Sequence, residues 1–371
     1  MSNVSKSTQV SLVSLILPKE SLDAVCNAVN SAGATGIFQV TARGSVLTEG
    51  GLLNRFFPPP APEQLLLQAL VPNGRVKEVT EAAIKAGHLD RVGSGAVFTI
   101  DCNDAFFSQS FPGTHSDDQD DSQESGSSDL EAICCICEKG IADDIARAAL
   151  EGGAPGPTIT FGEGGGVRDK IPLLRMTKGP EKEFVWCVVE KNEADDIFGG
   201  MARAGKITEP GRGFMYSIPV RSGLINVSST VSSSGYGANM DQIISALDDL
   251  KGGKEWRTAA ETESSDNRAL KTTFLENLVG LYCIVPRDYY EDVYDSVLDG
   301  GAPGVSTNFG IMVDSGSDDQ NEEWAVVYTS VGPDNVDSLR EKLTSKMESL
   351  KINRFAFYSL PIPRALTYLG G

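Results

Sequence analysis

Between Gly164 and Pro180 the chain sets four cations, Arg168, Lys170, Arg175 and Lys178, against Asp169 alone, a local charge of +3 in a protein of formal charge −19. Three consecutive glycines, Gly164, Gly165 and Gly166, precede the cluster. Further along, Gly205, Lys206, Gly211, Arg212 and Gly213 repeat the combination of bare backbone and cation. Exposed backbone N–H groups together with arginine forks suit a phosphate or another small anion, because both donate several hydrogen bonds to one charged group. The plain alternative is a solvated loop whose charges bind nothing.

These residues need elements to hold them, and an internal repeat supplies the plan. The twenty residues Cys137 to Gly156 have gapless counterparts in Leu17 to Gly36 and Val285 to Gly304. Aligned, they put Leu22, Ala142 and Tyr290 in one column, Val25, Ile145 and Val293 in the next, and Val29, Ala149 and Val297 in a third. Columns three and four residues apart make one face of a helix, and each copy closes on a glycine-bearing turn, SAGATG, EGGAPG or DGGAPG. Strands are expected on either side, so each repeat reads strand, helix, strand, strand, helix, strand.

The repeats divide the chain into 8–104, 129–221 and 275–371. Residues 105–128, rich in Asp, Ser, Gln and Gly, read as an acidic disordered linker, and 222–274 as a second linker carrying one helical segment, Met240 to Leu250. Both polar stretches, the second taken as Ala259 to Asn267, are expected to be exchangeable spacers. The fold class is α+β: three ferredoxin-like βαββαβ repeats. Each sheet needs its second face covered, and the sheets of the other two repeats are the economical cover, which gives an intramolecular pseudo-trimer with the sheets facing inward. A nearly continuous apolar run, Leu278 to Val285, predicts a strand buried on both faces.

Composition narrows the function. With 40% hydrophobic residues the 371-residue chain can bury a substantial core. Its acidity argues against nucleic acid or an anionic membrane surface as partner. No apolar run approaches the roughly 18 residues of a membrane span, and the short segment Val10 to Leu17 belongs to a strand and not to a signal peptide, so a cytoplasmic location is expected. The seven cysteines sit inside predicted elements; on a strand Cys135 and Cys137 share one face while Cys134 points to the other, so they cannot converge on a metal. With two histidines in the chain, His88 and His115, no Ser–His or Cys–His pair is evident and no metal site or catalytic activity is expected. A scaffold with decayed ligand sites is the alternative.

The stretch Ala202 to Val220, ARAGKITEPGRGFMYSIPV, resembles the closing segment of the PII signal-transduction proteins, where a glycine-rich phosphate-binding B-loop precedes the last strand. GPEKE, Gly179 to Glu183, is similar to the end of that family's mobile T-loop, which brings in Lys182. The first repeat keeps part of the pattern in Ala86 to Phe98, marking a weaker second site at Gly87, His88, Arg91, Gly93, Ser94 and Gly95, whereas the third keeps only YSLPI, Tyr358 to Ile362.

The resemblance implies a fused trimer that is a monomer in solution. It implies binding of ATP, ADP or AMP, or of bicarbonate, between repeats with no tightly held cofactor, and regulation of a membrane transporter or metabolic enzyme of nitrogen or inorganic-carbon metabolism. In the third repeat Ile352-Asn353-Arg354 replaces the glycines, so that site is expected to be degenerate and binding to be strongest on the second repeat. The repeat that supplies the facing wall depends on the handedness of the ring, which the sequence leaves open.

Overall fold

The computed structural model describes residues 4–48, 63–112, 128–166, 181–227, 230–232, 274–313 and 322–369. Three runs of elements follow one another in the same order. The first has strand β2 (Val10–Pro18), helix α1 (Leu22–Ser31), β3 (Ile37–Gly44), β5 (Glu63–Pro72), α2 (Val76–Gly87) and β6 (Gly95–Asp101), with the short β1 (Val4–Ser7) before it and β4 (Val46–Thr48) inside it. The second has β8 (Leu130–Glu138), α3 (Ala142–Glu151), β9 (Thr158–Gly166), β10 (Glu181–Glu190), α4 (Lys191–Ala204) and β11 (Gly213–Pro219). The third has β14 (Leu275–Pro286), α5 (Tyr290–Asp299), β15 (Gly304–Val313), β16 (Glu323–Val331), α6 (Pro333–Ser349) and β17 (Ala356–Thr367).

In every run the strands pair antiparallel in the spatial order second, third, first, fourth: β3-β5-β2-β6, β9-β10-β8-β11 and β15-β16-β14-β17. This α+β arrangement is compatible with the ferredoxin-like plan expected from the sequence. The same ion pair recurs in each run between the turn after the first strand and the start of the third: Lys19 with Glu63 at 3.7 Å, Lys139 with Glu181 at 2.9 Å and Arg287 with Glu323 at 3.6 Å.

Strand alternation divides the apolar side chains. Val13, Leu15 and Leu17 of β2 pack under α1 and α2, Ile133, Cys135 and Cys137 of β8 under α3 and α4, and Leu281, Cys283 and Val285 of β14 under α5 and α6. The alternate residues, Leu12 and Ile16, Cys134 and Ile136, Tyr282 and Ile284, meet in one core shared by all three runs. At its centre Tyr282 stacks between Tyr358 at 4.7 Å and Tyr328 at 5.0 Å. The first strands are therefore covered on both faces, as the apolar run of β14 predicts. The three adjacent cysteines divide between two cores as strand geometry requires.

The runs are joined edge to edge in a cyclic pattern. The second strands meet one another, the end of β9 against the start of β15, the end of β15 against β3, and the end of β3 against the start of β9. Beyond each fourth strand the chain continues onto the fourth strand of another run: β7 (Asp104–Ser108) pairs with β17, β12 (Ser222–Asn226) pairs with β6, and the end of β17 pairs with β11. Here the reading of 105–128 and 222–274 as linkers is corrected at their first residues; 113–127 and 233–273 lie outside the described residues. Residues 104–108 and 222–226 are strands, Ala105, Phe107 and Phe111 lie in the shared core, and β13 (Thr230–Ser232) pairs parallel with β4. The predicted spacer 259–267 and helical segment 240–250 lie outside the described residues. Polar composition misled because these short strands take their partners from a run distant in sequence.

All seven cysteines are free and buried. Burial pushes the thiols up: Cys26 from 9.0 to about 11, with Asp23 adding to the effect, Cys187 to about 12, and Cys137 to about 12 with Glu183 as the next cause. A thiol whose folded pKa is raised contributes stability that is complete below the unfolded value of 9.0 and is lost as pH rises through the folded value. The urea midpoint should therefore be level between pH 7 and 8. It should then fall steeply from pH 9 to 11, by about 1.4 kcal/mol per pH unit for each thiol still protonated in the fold alone. A midpoint unchanged at pH 10.5 would contradict this burial.

Candidate functional site

Three seams separate the runs, and the position that follows the first strand's ladder shows how they differ. In the register of first and third strands, Gln64 faces Pro18, Lys182 faces Glu138 and Trp324 faces Pro286. Gln64 is buried and accepts a hydrogen bond from Thr158 Oγ1 at 3.0 Å in the seam of the first and second runs. That seam is closed further by Val227, a buried residue directly after β12, whose Cγ1 lies 2.4 Å from where a Cβ on Gly156 would stand. Trp324, fully buried, is met edge-on by Phe111 at 6.0 Å in the seam of the third and first runs. Arg354 stacks over the same indole at 5.1 Å while its two terminal nitrogens hold Glu322 at 2.8 Å each. The third run's site is thus filled by aromatic side chains.

The seam of the second and third runs is open. A cleft of about 1190 Å³ lies there, lined on one side by Glu163, Gly164, Gly165, Gly166, Lys182, Gly211, Gly213 and Phe214, and on the other by residues of α5 and β15, with Tyr368 and Leu369 beside it. Leu369 stands one residue past the partner position of Gly213, as Val227 stands one past that of Gly95, yet it is 51% exposed. The third run is therefore the facing wall that sequence left undetermined.

Six of the ten residues singled out on the second run line this cleft. The glycine run is not a loop: Gly164, Gly165 and Gly166 continue β9 and pair with Ser306, Val305 and Gly304. A Cβ on Gly164 would come within 3.0 Å of Lys182 Cγ, so the missing side chain there leaves room for the lysine to lie across the strand. Gly213 has φ +158, and a Cβ would stand 2.1 Å from the carbonyl oxygen of Ile136; Gly95 has φ +132, with the equivalent oxygen of Ile16 at 2.2 Å. Both are required by close approach of the fourth strand to the first.

The remaining residues are placed elsewhere. Arg168 lies outside the described residues, as do Lys170, Arg175 and Lys178. Gly205 serves packing, since a Cβ would meet Ile145 Cδ1 at 2.8 Å. Lys206 ends α4 in the left-handed region at φ 50, as His88 does after α2 at φ 51. Arg212 is not among the residues that line the cleft, although Gly211 and Gly213 on either side are; its guanidinium is 3.4 Å from Glu138 and 3.5 Å from Glu209. On the first run the backbone expected to cradle an anion is used internally: Gly93 N–H donates to Asn226 O at 2.7 Å, and Ser94 N–H and Oγ to Arg91 O. Leu89, beside Gly87 and His88, is wholly buried.

Two acidic features escaped sequence reading. Glu183, beside Lys182, is buried and accepts N–H bonds from Gly140 at 2.7 Å and Ala142 at 3.2 Å, capping the N-terminus of α3. Its partner donors are over 40 residues away, so no local pattern reports it. The acidic residues Glu163, Glu291 and Asp295 all line the cleft, and two of them come from the facing wall. Among the described residues no group of three His, Cys, Asp or Glu is placed to hold a metal ion, and no helix is long and apolar enough to cross a membrane.

No protein-family model matches the chain, and no curated protein matches it. Among solved structures it is similar to an aspartate kinase from Synechocystis, at 8% identity over 98% of this chain and 53% of that one with a TM-score of 0.22. It is also similar to the ligand-free regulatory subunit of aspartate kinase from Thermus thermophilus, at 12% identity over 54% of this chain and 95% of that one with a TM-score of 0.17. The chain spans about half the length of the first of these. Likenesses at this level carry no argument about what the chain does.

Proposed function

We propose that the chain is a PII-like regulatory protein: three ferredoxin-like repeats closed into an intramolecular pseudo-trimer with the sheets inward, binding a nucleotide in the cleft between the second and third repeats. The observation that carries this reading is the meeting, in one large cleft, of Gly164, Gly165, Gly166, Lys182, Gly211 and Gly213 with a wall bearing Tyr290, Tyr294 and Leu298. Glycine backbone and an ammonium suit phosphate, and an apolar aromatic wall suits a planar base. The aromatic wall has nothing to contact in bicarbonate, and the cleft's carboxylates can accept hydrogen bonds from the amino and hydroxyl groups of an adenine nucleoside, so ATP, ADP or AMP fits better. Occupancy would act on residues 167–180, which join two cleft strands, and through them on a transporter or enzyme of nitrogen or inorganic-carbon metabolism.

The reading is of a binding protein and not of a catalyst. Of the two histidines, His88 lies on the first run, away from the cleft lining, and His115 outside the described residues. Thermal unfolding with and without nucleotide tests the proposal. At a nucleotide concentration a hundred times its Kd the folded state gains about 2.7 kcal/mol, which raises the midpoint by several degrees. A shift with bicarbonate alone would favour the small anion, and no shift with any nucleotide would leave an inert scaffold. Light scattering should give a monomer of 39.5 kDa.

A further inference from the structure

We propose that Phe214 is the specificity-determining residue of this cleft: the planar base of the ligand stacks on its ring, so the site selects a nucleotide over a bare phosphate ester. The inference rests on the reading of the cleft as a nucleotide site and names the residue that distinguishes the ligand there. Its ground is one strand position compared across the three seams. In the pairing of first and fourth strands, Ala96 faces Ile16, Phe214 faces Ile136 and Ala356 faces Ile284, so the three residues stand at the same place. Both alanines are wholly buried. Phe214 is half-buried and lines the cleft.

The tail strands explain the difference. They set Ile225 opposite Ala96 and Phe107 opposite Ala356; Phe107 lies in the core shared by the runs and Ile225 packs against it. In both closed seams a large side chain thus covers a small one. Opposite Phe214 the tail brings Thr367, whose Oγ1 donates back to Gly213 O at 2.8 Å. Two residues further along the same face of the tail, Val227 is buried in the seam of the first and second runs, whereas Leu369 is exposed beside the cleft. A mere exchange of large and small side chains would bury the ring, but here the tail leaves it half uncovered.

The ring is held in place for a partner. It packs 5.5 Å from the ring of Tyr216, which is buried and meets Trp186 edge-on at 6.2 Å, so stacking on Phe214 costs little further ordering of the protein. Ile136, Leu275 and Leu278 line the cleft with it, a surface without charge. Stripping water from a phosphate against such a surface is costly, whereas every base has a π-face that stacks on an aromatic ring. The phosphate has its own place nearby. Phe214 faces Ile136 and Lys182 faces Glu138, two residues on along β8, so both side chains stand on one face of the sheet, and a ribose can join a base on the one to a phosphate on the other.

Calorimetry with ATP, ADP and AMP against ribose 5-phosphate, which lacks the base, provides the test. The tightest of the three nucleotides should bind at least about tenfold tighter than ribose 5-phosphate. Phe214→Leu should lower that nucleotide's affinity about tenfold and leave ribose 5-phosphate unchanged, while Phe214→Trp should keep the preference. A ring that serves packing alone would lower both affinities together or neither. A second variant leaves the ring in place: Thr367→Ile restores the cover that Ile225 gives Ala96, so it should also reduce nucleotide affinity and spare ribose 5-phosphate. An unchanged preference in Phe214→Leu or in Thr367→Ile overturns the proposal, as does a protein that holds nucleotide no tighter than ribose 5-phosphate. In those cases binding itself shows that the cleft reading stands; if no nucleotide binds, both fall.

Discussion

Replacing residues 105–112 by glycine and serine is expected to unfold the protein. Phe107 is 2% and Phe111 4% exposed, both belong to the core that the three runs share, and β7 pairs with β17 on one side and β1 on the other. A buried Phe→Ala change costs about 3 to 5 kcal/mol, so losing both rings approaches the entire stability of an ordinary domain, about 5 to 15 kcal/mol. Anchoring contacts would go as well: Ser108 Oγ accepts the Phe355 N–H at 2.8 Å, and Ser108 N–H donates to Phe355 O at 3.0 Å. Chemical denaturation of Phe107→Ala and Phe111→Ala measures the two rings separately. A loss under about 1 kcal/mol for Phe107→Ala would show that this segment is the spacer its composition implies.

Lys182→Ala is expected to weaken nucleotide binding ten- to a hundredfold, the cost of about 1.5 to 3 kcal/mol for a charge-assisted contact. Arg212→Ala should change affinity far less, because its guanidinium pairs with Glu138 and Glu209 and stands apart from the cleft lining. Arg354→Ala should leave binding unchanged and lower stability, since it frees Glu322 and uncovers Trp324. Calorimetry on the three variants separates these outcomes, and a larger loss from Arg212→Ala than from Lys182→Ala would move the phosphate site to the turn before β11.

The helices and their turns were legible because the information is local. Val25, Ile145 and Val293 stand at the same helical position and are all buried, and the turn glycines Gly33, Gly153 and Gly301 have φ of 100, 100 and 91°. The strands after each run were not legible, because DAFFS and SGLIN gain their conformation from edges that belong to other runs. The cleft was half legible. Glycines and Lys182 mark one wall, but Glu291 and Asp295 acquire their meaning only when the third run is set opposite, and chain order does not reveal that it is the third. Arg212 reads as a ligand-facing cation because a motif gives spacing, while its pairing with Glu138 and Glu209 is a matter of side-chain direction.

The cyclic exchange of tails bears on how the chain is made. The tail of the first run rests on the last strand of the third, and Ser108 waits 247 residues for Phe355. During synthesis the second run can dress the edge of β6 as soon as β12 emerges, but Phe106 and Phe107 lack their β17 partners until that strand has been made. At about 5 to 20 residues per second that interval lasts tens of seconds, with an apolar strand and an unpaired edge exposed throughout. Contacts of such long sequence separation slow folding, so final closure of the ring should set its rate. The newborn protein is most open to misassembly just before β17 arrives.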